Sequence, residues 1–396
     1  MKKFLRACLV VSLATFIAIP SASAIDPDTA ATVFAKLAVA PELRNPSVSL
    51  IDLSTGAVVF EANGDSERKP ASLMKLLSAA ATVKYLDPTK VFVTSVSLGT
   101  TADSIVVDGE FDPWMATNYR VAQKMHRTSL YSLAAIGLSA AKKSAGGPIK
   151  KIKVYYNDIY PGEAATISAY YKKQGVIGTF INVTDEKAKS LAGQQVFYST
   201  SPPVKEIMSW FLTWSDNEVA ERMGRLAARA SGNPFNDQGV ATTFSNVLAD
   251  LGLDSSKVVV KDASGLSRQN KVTADLVGRL LAKFNSDPAL KTIIDGLPVG
   301  GKTGTLRKRY KTNGVKAAGL VKAKTGTLTG TVGLAGYVQS GDREYAFVII
   351  ADRLKRTPAA SAVARNSVDR YLAKIAAPLS IPAAETSAGT PAPQSL

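Results

Sequence analysis

Ser72 and Lys75 stand three residues apart in Pro70-Ala71-Ser72-Leu73-Met74-Lys75-Leu76-Leu77, and one helical turn brings a hydroxyl and an amine at that spacing side by side. A serine beside an amine in a water-poor site can be a nucleophile with its own base, because desolvation and a neighbouring cation lower a lysine's pKa until a useful fraction is neutral. Alone, S-x-x-K is weak, since an ordinary helix start produces it too. Two motifs downstream give it company. Ser215-Asp216-Asn217 lies where one helical pattern ends at Trp214 and another begins, a place where such residues also serve as plain N-caps. Lys-Thr-Gly occurs twice, at Lys302-Thr303-Gly304 and Lys324-Thr325-Gly326.

The elements around these motifs decide between the two copies. Leu73, Leu76, Leu77 and Ala80 fall at i, i+3, i+4 and i+7 and bury one side of the Ser72 helix. Val204, Ile207, Met208 and Phe211, then Val219, Met223, Leu226 and Ala230, give two helices meeting at Ser215-Asp216-Asn217. The second Lys-Thr-Gly ends one apolar strand (Leu320–Thr325) and leads through Thr329-Gly330 into another (Thr331–Gln339), with a third at Tyr345–Ala351. A strand edge holds its lysine, threonine and backbone N–H in fixed positions, and glycine lets a ligand approach. The first copy runs into Arg307-Lys308-Arg309-Tyr310-Lys311 without a strand pattern and reads as a chance echo.

The rest of the chain frames this set. A helix through Ala30, Val33, Phe34 and Leu37 precedes a hairpin, Val48–Leu53 and Ala57–Phe60 about Ser54-Thr55-Gly56. Residues 91–199, with short β-like runs at Val91–Leu98, Ile105–Val107, Lys151–Tyr156 and Gln195–Tyr198, read as an inserted β-rich domain. Thr273 is placed to cap a helix through Leu276, Val277, Leu280, Leu281 and Phe284, and a closing helix carries Val368, Tyr371, Leu372 and Ile375. Residues 378–396, rich in Ala, Pro, Ser and Thr, read as a disordered tail.

Composition excludes several chemistries. Lys2, Lys3 and Arg6 before the apolar run Ala7–Ile19, then Ala22-Ser23-Ala24, predict a signal peptide over 1–24. No later segment is apolar enough to span a membrane. The single cysteine, Cys8, falls in that leader, so the mature chain has neither disulfide nor thiol nucleophile. One histidine, His126, among basic and polar neighbours, reads as a surface residue; with no cysteine it predicts no metal site and no cofactor, and a base other than histidine. A net charge of +16, or +13 without the three leader cations, suits an exported protein beside an anionic polymer rather than nucleic acid.

S-x-x-K, S-D-N and K-T-G in that order, on helix, helix junction and strand, resemble the serine acyl-enzyme superfamily of penicillin-binding proteins and β-lactamases. The chain is most similar to the class C low-molecular-mass penicillin-binding proteins, the D-alanyl-D-alanine carboxypeptidase/endopeptidase family. The similarity is carried by Pro70-Ala71-Ser72, Ser215-Asp216-Asn217 with Ala220-Glu221, Asp262-Ala263-Ser264-Gly265-Leu266-Ser267-Arg268 and Ala323–Gly330.

The resemblance implies an α+β transpeptidase-like domain, residues 25–90 with 200–377, built on a five-stranded antiparallel sheet flanked by helices. It implies Ser72 as nucleophile, Lys75 as base, Ser215 as proton relay and Lys324 as polarising cation. Asn217, Thr325, Gly326 and Thr327 would bind substrate, with the Ser72 and Thr327 N–H groups as oxyanion hole. Peptidoglycan stem peptides would be substrates and β-lactams covalent inhibitors, in the periplasm or at the cell wall; the oligomeric state stays open, as does the balance of carboxypeptidase and endopeptidase.

Two rivals stand beside this reading. A class A β-lactamase needs a glutamate between S-D-N and K-T-G to activate water, and only Glu218 and Glu221 are there. A catalytically idle wall-binding module would have lost Ser72, Lys75, Ser215 or Lys324, and all are present. The eight cations between Lys302 and Lys324, with no acid among them, could bind wall polymers or form a solvated loop.

Overall fold

The computed structural model describes residues 24–379; the predicted leader up to residue 23, and the predicted tail from 380, lie outside them. Among the described residues ten strands form two five-stranded sheets. The first joins the two ends of the sequence. β1 (Ser47–Asp52) and β2 (Val58–Ala62) make the N-terminal hairpin, and β8 (Val321–Leu328), β9 (Thr331–Ser340) and β10 (Arg343–Ala351) form a C-terminal meander. Their order is β2-β1-β10-β9-β8. Every pairing is antiparallel, with Ser47 opposite Ile350 and Lys324 opposite Ala335. All of β1 and nearly all of β9 and β10 are buried, because helices cover both faces.

On one face Ile51, Tyr337, Ala346 and Val348 lie under α10 (Ala274–Ser286) and share one core with α2 (Lys75–Tyr85), α7 (Val204–Trp214), α8 (Asn217–Ala230) and α9 (Asp237–Asp250), with the short α11 (Lys291–Asp295) beside them. On the other, Leu50, Leu334, Phe347 and Ile349 lie under α1 (Pro27–Ala38) and α12 (Pro358–Ile375). Thr273 caps α10 by accepting from Leu276 N. The ends of the described chain meet at the β9–β10 turn. Ile25 N donates to Ser340 Oγ at 3.1 Å, and Gly341 N donates to the Ala377 carbonyl at 3.0 Å.

The second sheet comprises β3 (Val93–Gly99), β4 (Ser104–Asp108), β5 (Lys151–Asn157), β6 (Ile177–Asn182) and β7 (Ala192–Thr200), in the order β6-β5-β4-β3-β7. The β4–β5 and β5–β6 pairs are parallel and the others antiparallel. Helices α3 (Tyr119–Met125), α4 (Leu130–Ser144), α5 (Pro161–Lys173) and α6 (Asp185–Leu191) share this segment. It has its own core, where Val96, Ile105, Leu133, Val154, Ile167 and Tyr171 meet.

Candidate active site

Ser72 stands on a 3-10 turn, Ala71–Met74, that runs directly into α2. Two glycines let other segments reach that turn. A Cβ on Gly326 would lie 2.7 Å from the Pro70 carbonyl, so only glycine lets β8 come this close. Gly265, at φ +83°, would put a Cβ 1.8 Å from the Ala71 carbonyl. The Ser72 turn is thus pressed between β8 and the loop at 262–266.

Lys75 is fully buried. Its Nζ donates to Ser72 Oγ at 3.0 Å, to Asn217 Oδ1 at 2.8 Å and to the Ser264 carbonyl at 2.6 Å. The last two partners can only accept, whereas a hydroxyl can also donate. A neutral Lys75 therefore keeps both its N–H bonds and turns its lone pair to the Ser72 hydroxyl. Burial lowers the Lys75 pKa to about 8, against the opposing pull of Glu221, Asp216 and Asp262. Glu221 is committed elsewhere, accepting from Ala263 N at 3.1 Å and Ser264 N at 2.9 Å, and so holds the carbonyl that Lys75 uses.

Lys324, also fully buried, donates to Ser215 Oγ at 2.9 Å and to the Thr325 carbonyl at 3.1 Å. Burial first, and the charge of Lys75 second, hold its pKa well below the ordinary lysine value. Ser215 ends α7 in a left-handed conformation, φ +59°, which costs about 1–3 kcal/mol for a residue with a side chain. That bend aims its hydroxyl back at Lys324. Asp216 caps α8 through Val219 N at 3.1 Å, which leaves Asn217 at the first turn, facing Lys75.

One cavity is lined by Ser72, Ser215, Asn217, Thr325, Gly326 and Thr327. All the residues read from the sequence therefore converge, with Lys75 and Lys324 buried behind the cavity wall. A wider cleft lined by Asp87, Asp108, Glu110 and Arg229 contains none of the motif residues. His126 is exposed at the C-cap of α3, and no cluster of three or more His, Cys, Asp or Glu suited to a metal occurs among the described residues.

Besides Val332 and Gly333 of β9, three polar or charged lining residues were not expected: Thr305, Arg309 and Arg365. Thr305 belongs to the first Lys-Thr-Gly copy, which is more than an echo. Lys302 is exposed and packs over Gly319, but Thr325 Oγ1 donates to Thr305 Oγ1 at 2.9 Å. Arg309 comes from the basic loop and forks onto Asp369 of α12 through Nε, at 3.0 Å to each carboxylate oxygen. A lone arginine in a helical pattern gives no sign of the cavity it will line, so Arg365 carried no signal.

The S-D-N junction also touches the second sheet's segment. Buried Arg127 pairs with Asp216 at 3.0 Å and Glu218 at 3.1 Å. Arg222 of α8 lies 2.9 Å from Glu163 and 3.3 Å from Glu218, and stacks over the Tyr160 ring at 4.4 Å. Burial outweighs these attractions at the carboxyls that lie deepest, raising Asp112 to about 6 and Glu163 to about 7.

Residues 30–136 and 150–375 match the D-Ala-D-Ala carboxypeptidase 3 (S13) family. Among curated relatives, carboxypeptidase DacB of Mycolicibacterium smegmatis is 29% identical over 365 residues, covering 80% of this chain and 79% of that protein. A D-alanyl-D-alanine carboxypeptidase of an Actinomadura species is 38% identical over 157 residues, 38% of this chain and 29% of its own. Penicillin binding protein 4 of Haemophilus influenzae superposes with a TM-score of 0.63 at 17% identity, over 86% of this chain and 99% of that one. A predatory endopeptidase of Bdellovibrio bacteriovorus, solved acylated by penicillin G, superposes at 0.54 and 16% identity, over 86% and 95%. Both likenesses bear on the fold.

Proposed function

This chain belongs to the D-Ala-D-Ala carboxypeptidase 3 (S13) family, and on that premise we propose that Ser72 carries the acyl group, with Lys75 as its base. Ser72 Oγ attacks the carbonyl carbon between two terminal D-alanines as neutral Lys75 takes its proton. The oxyanion rests between the backbone N–H groups of Ser72 and Thr327. Ser215, whose oxygen accepts from Lys324, keeps its own hydrogen for the leaving amine and regains one from the lysine pair. The C–N bond breaks, D-alanine leaves, and water later splits the Ser72 ester to a carboxylate and a free hydroxyl. Asn217, Thr325, Gly326 and Thr327 line the path of the peptide.

The observation that carries this reading is the surroundings of Lys75, which satisfy a neutral amine and leave its lone pair for Ser72. A β-lactamase reading needs a free carboxylate at the acyl-enzyme. Glu221 is bound to two backbone N–H groups and Glu218 to two arginines, which weighs against it.

We propose further that residues 25–90 with 200–377 form the catalytic unit and 91–199 the inserted one. Export to the peptidoglycan layer rests on the predicted leader; among the described residues no helix is long and apolar enough to cross a membrane. Cross-link cleavage would run through the same acyl-enzyme, since only the leaving amine differs. Intact-mass analysis after incubation with benzylpenicillin tests the scheme. A lasting adduct on wild type, absent from Ser72→Ala, is expected; rapid turnover without adduct would favour a β-lactamase, and no reaction an idle wall-binding module.

A further inference from the structure

The side of the cavity beyond β8 holds a positive charge with no counter-charge. Thr325 and Thr327 are the obvious hydroxyls for the substrate's carboxylate, but Thr325 Oγ1 already donates to Thr305 Oγ1 at 2.9 Å. Two arginines line the same cavity, Arg309 and Arg365. Asp369 neutralises one of them, because Arg309 Nε lies 3.0 Å from each of its oxygens. Arg365 sits one helical turn before Asp369, half-buried on α12, and forms no salt bridge among the described residues. Two cations thus share a single carboxylate, and both belong to residues that line the cavity. A planar guanidinium with free donors suits a carboxylate, and a partly desolvated, unpaired one is better off when it finds one.

We propose that Arg365 is the carboxylate-binding residue of the leaving-group side: it pairs with the carboxylate on the carbon that bears the departing amine. This rests on the acyl-enzyme reading above and deepens it by naming the residue that would recognise the free carboxylate of that substrate. Peptides ending in D-alanine as the free acid are selected. So are cross-links whose acceptor amine sits next to a free carboxylate, over those in which it is amidated or absent.

The test compares a peptide ending in D-Ala-D-Ala as the free acid with the same peptide C-terminally amidated, on wild type, Arg365→Ala and Arg365→Lys. On Arg365→Ala, kcat/KM for the acid should fall about 10- to 100-fold, the worth of a charge-assisted hydrogen bond. Turnover of the amide should fall far less than that of the acid, so that discrimination collapses, and Arg365→Lys should restore part of it. Equal loss on both substrates, or no loss on either, would overturn the assignment. A carboxylate-free fluorophosphonate separates the two levels. Labelling of Ser72 on wild type and Arg365→Ala alike keeps the acyl-enzyme whatever becomes of Arg365; no labelling of wild type means the acyl-enzyme reading itself has failed.

Discussion

The protein buries cations in two places and treats them in opposite ways. At the edge of the first sheet, Lys75 and Lys324 are fully buried, and their hydrogen-bond partners are hydroxyls, an amide oxygen and carbonyls. At the junction with the second sheet, Arg127 and Arg222 are met directly by Asp216, Glu163 and Glu218. Desolvation acts at both. Where no carboxylate touches the cation the pKa falls and the amine becomes a usable base; where carboxylates do touch it, the guanidinium keeps its charge and ties segments together. Residue type follows the task, since arginine does not deprotonate and lysine can.

The sharpest break in this comparison is removal of the base. Lys75→Met should cut acylation by about a thousandfold, within the range for a general base, while the melting temperature holds or rises because a buried charge is gone. A large fall in melting temperature would show that Lys75 is structural, like the arginines. The converse change is Arg222→Ala, which strands Glu163 and leaves Glu218 to Arg127 alone. It should cost about 3–5 kcal/mol in urea unfolding, with acylation per folded molecule within a few-fold of wild type.

Changing pH should separate the regions without mutation. Below pH 8 the acylation rate should fall about tenfold per unit as Lys75 protonates; a flat profile from pH 6 to 9 would remove it as the base. Stability should respond with opposite signs. Between about pH 8 and 10 the unfolded state binds a proton that folded Lys75 has released, so stability contributed there rises with pH. Between about pH 4 and 7 the folded state holds protons on Asp112 and Glu163 that the unfolded state has lost, so stability falls as pH rises. Lys75→Met should flatten the first slope and Glu163→Gln the second. The smallest effect belongs to Lys302→Ala, an exposed residue, which should change acylation less than about twofold.

The two regions also differed in how much of them could be read beforehand. The catalytic edge was legible because each motif lies within one element: β8 carries Lys324 and Thr325 in a run of buried and open positions, and α7 and α8 meet at Ser215-Asp216-Asn217. β6 was not, since Ile177, Thr179 and Ile181 do not form a buried face against Gly178 and Phe180, and a strand without a dry side has no alternation to show. Motif-led reading also passes over α9, although Val240, Phe244, Val247 and Leu248 have helical spacing and are buried. Arg127, Arg309 and Arg365 were invisible for a different reason. Each meets the site from a distant element, and only the completed fold says which carboxylate is left over.

The junction of Ile25, Ser340 and Ala377 has a consequence for topology. β1 has no partner on its inner side until β10, almost three hundred residues later, so the sheet closes over a long span of chain, which raises the loop-closure entropy its pairing must overcome. Because Ile25 before β1 and Ala377 after β10 lie against one turn, the same fold could be cut open elsewhere. Joined at the turn and opened instead at Gly146, an exposed loop after α4 with room for new ends, the same contacts would become more local for the sheet that now closes over the longest span.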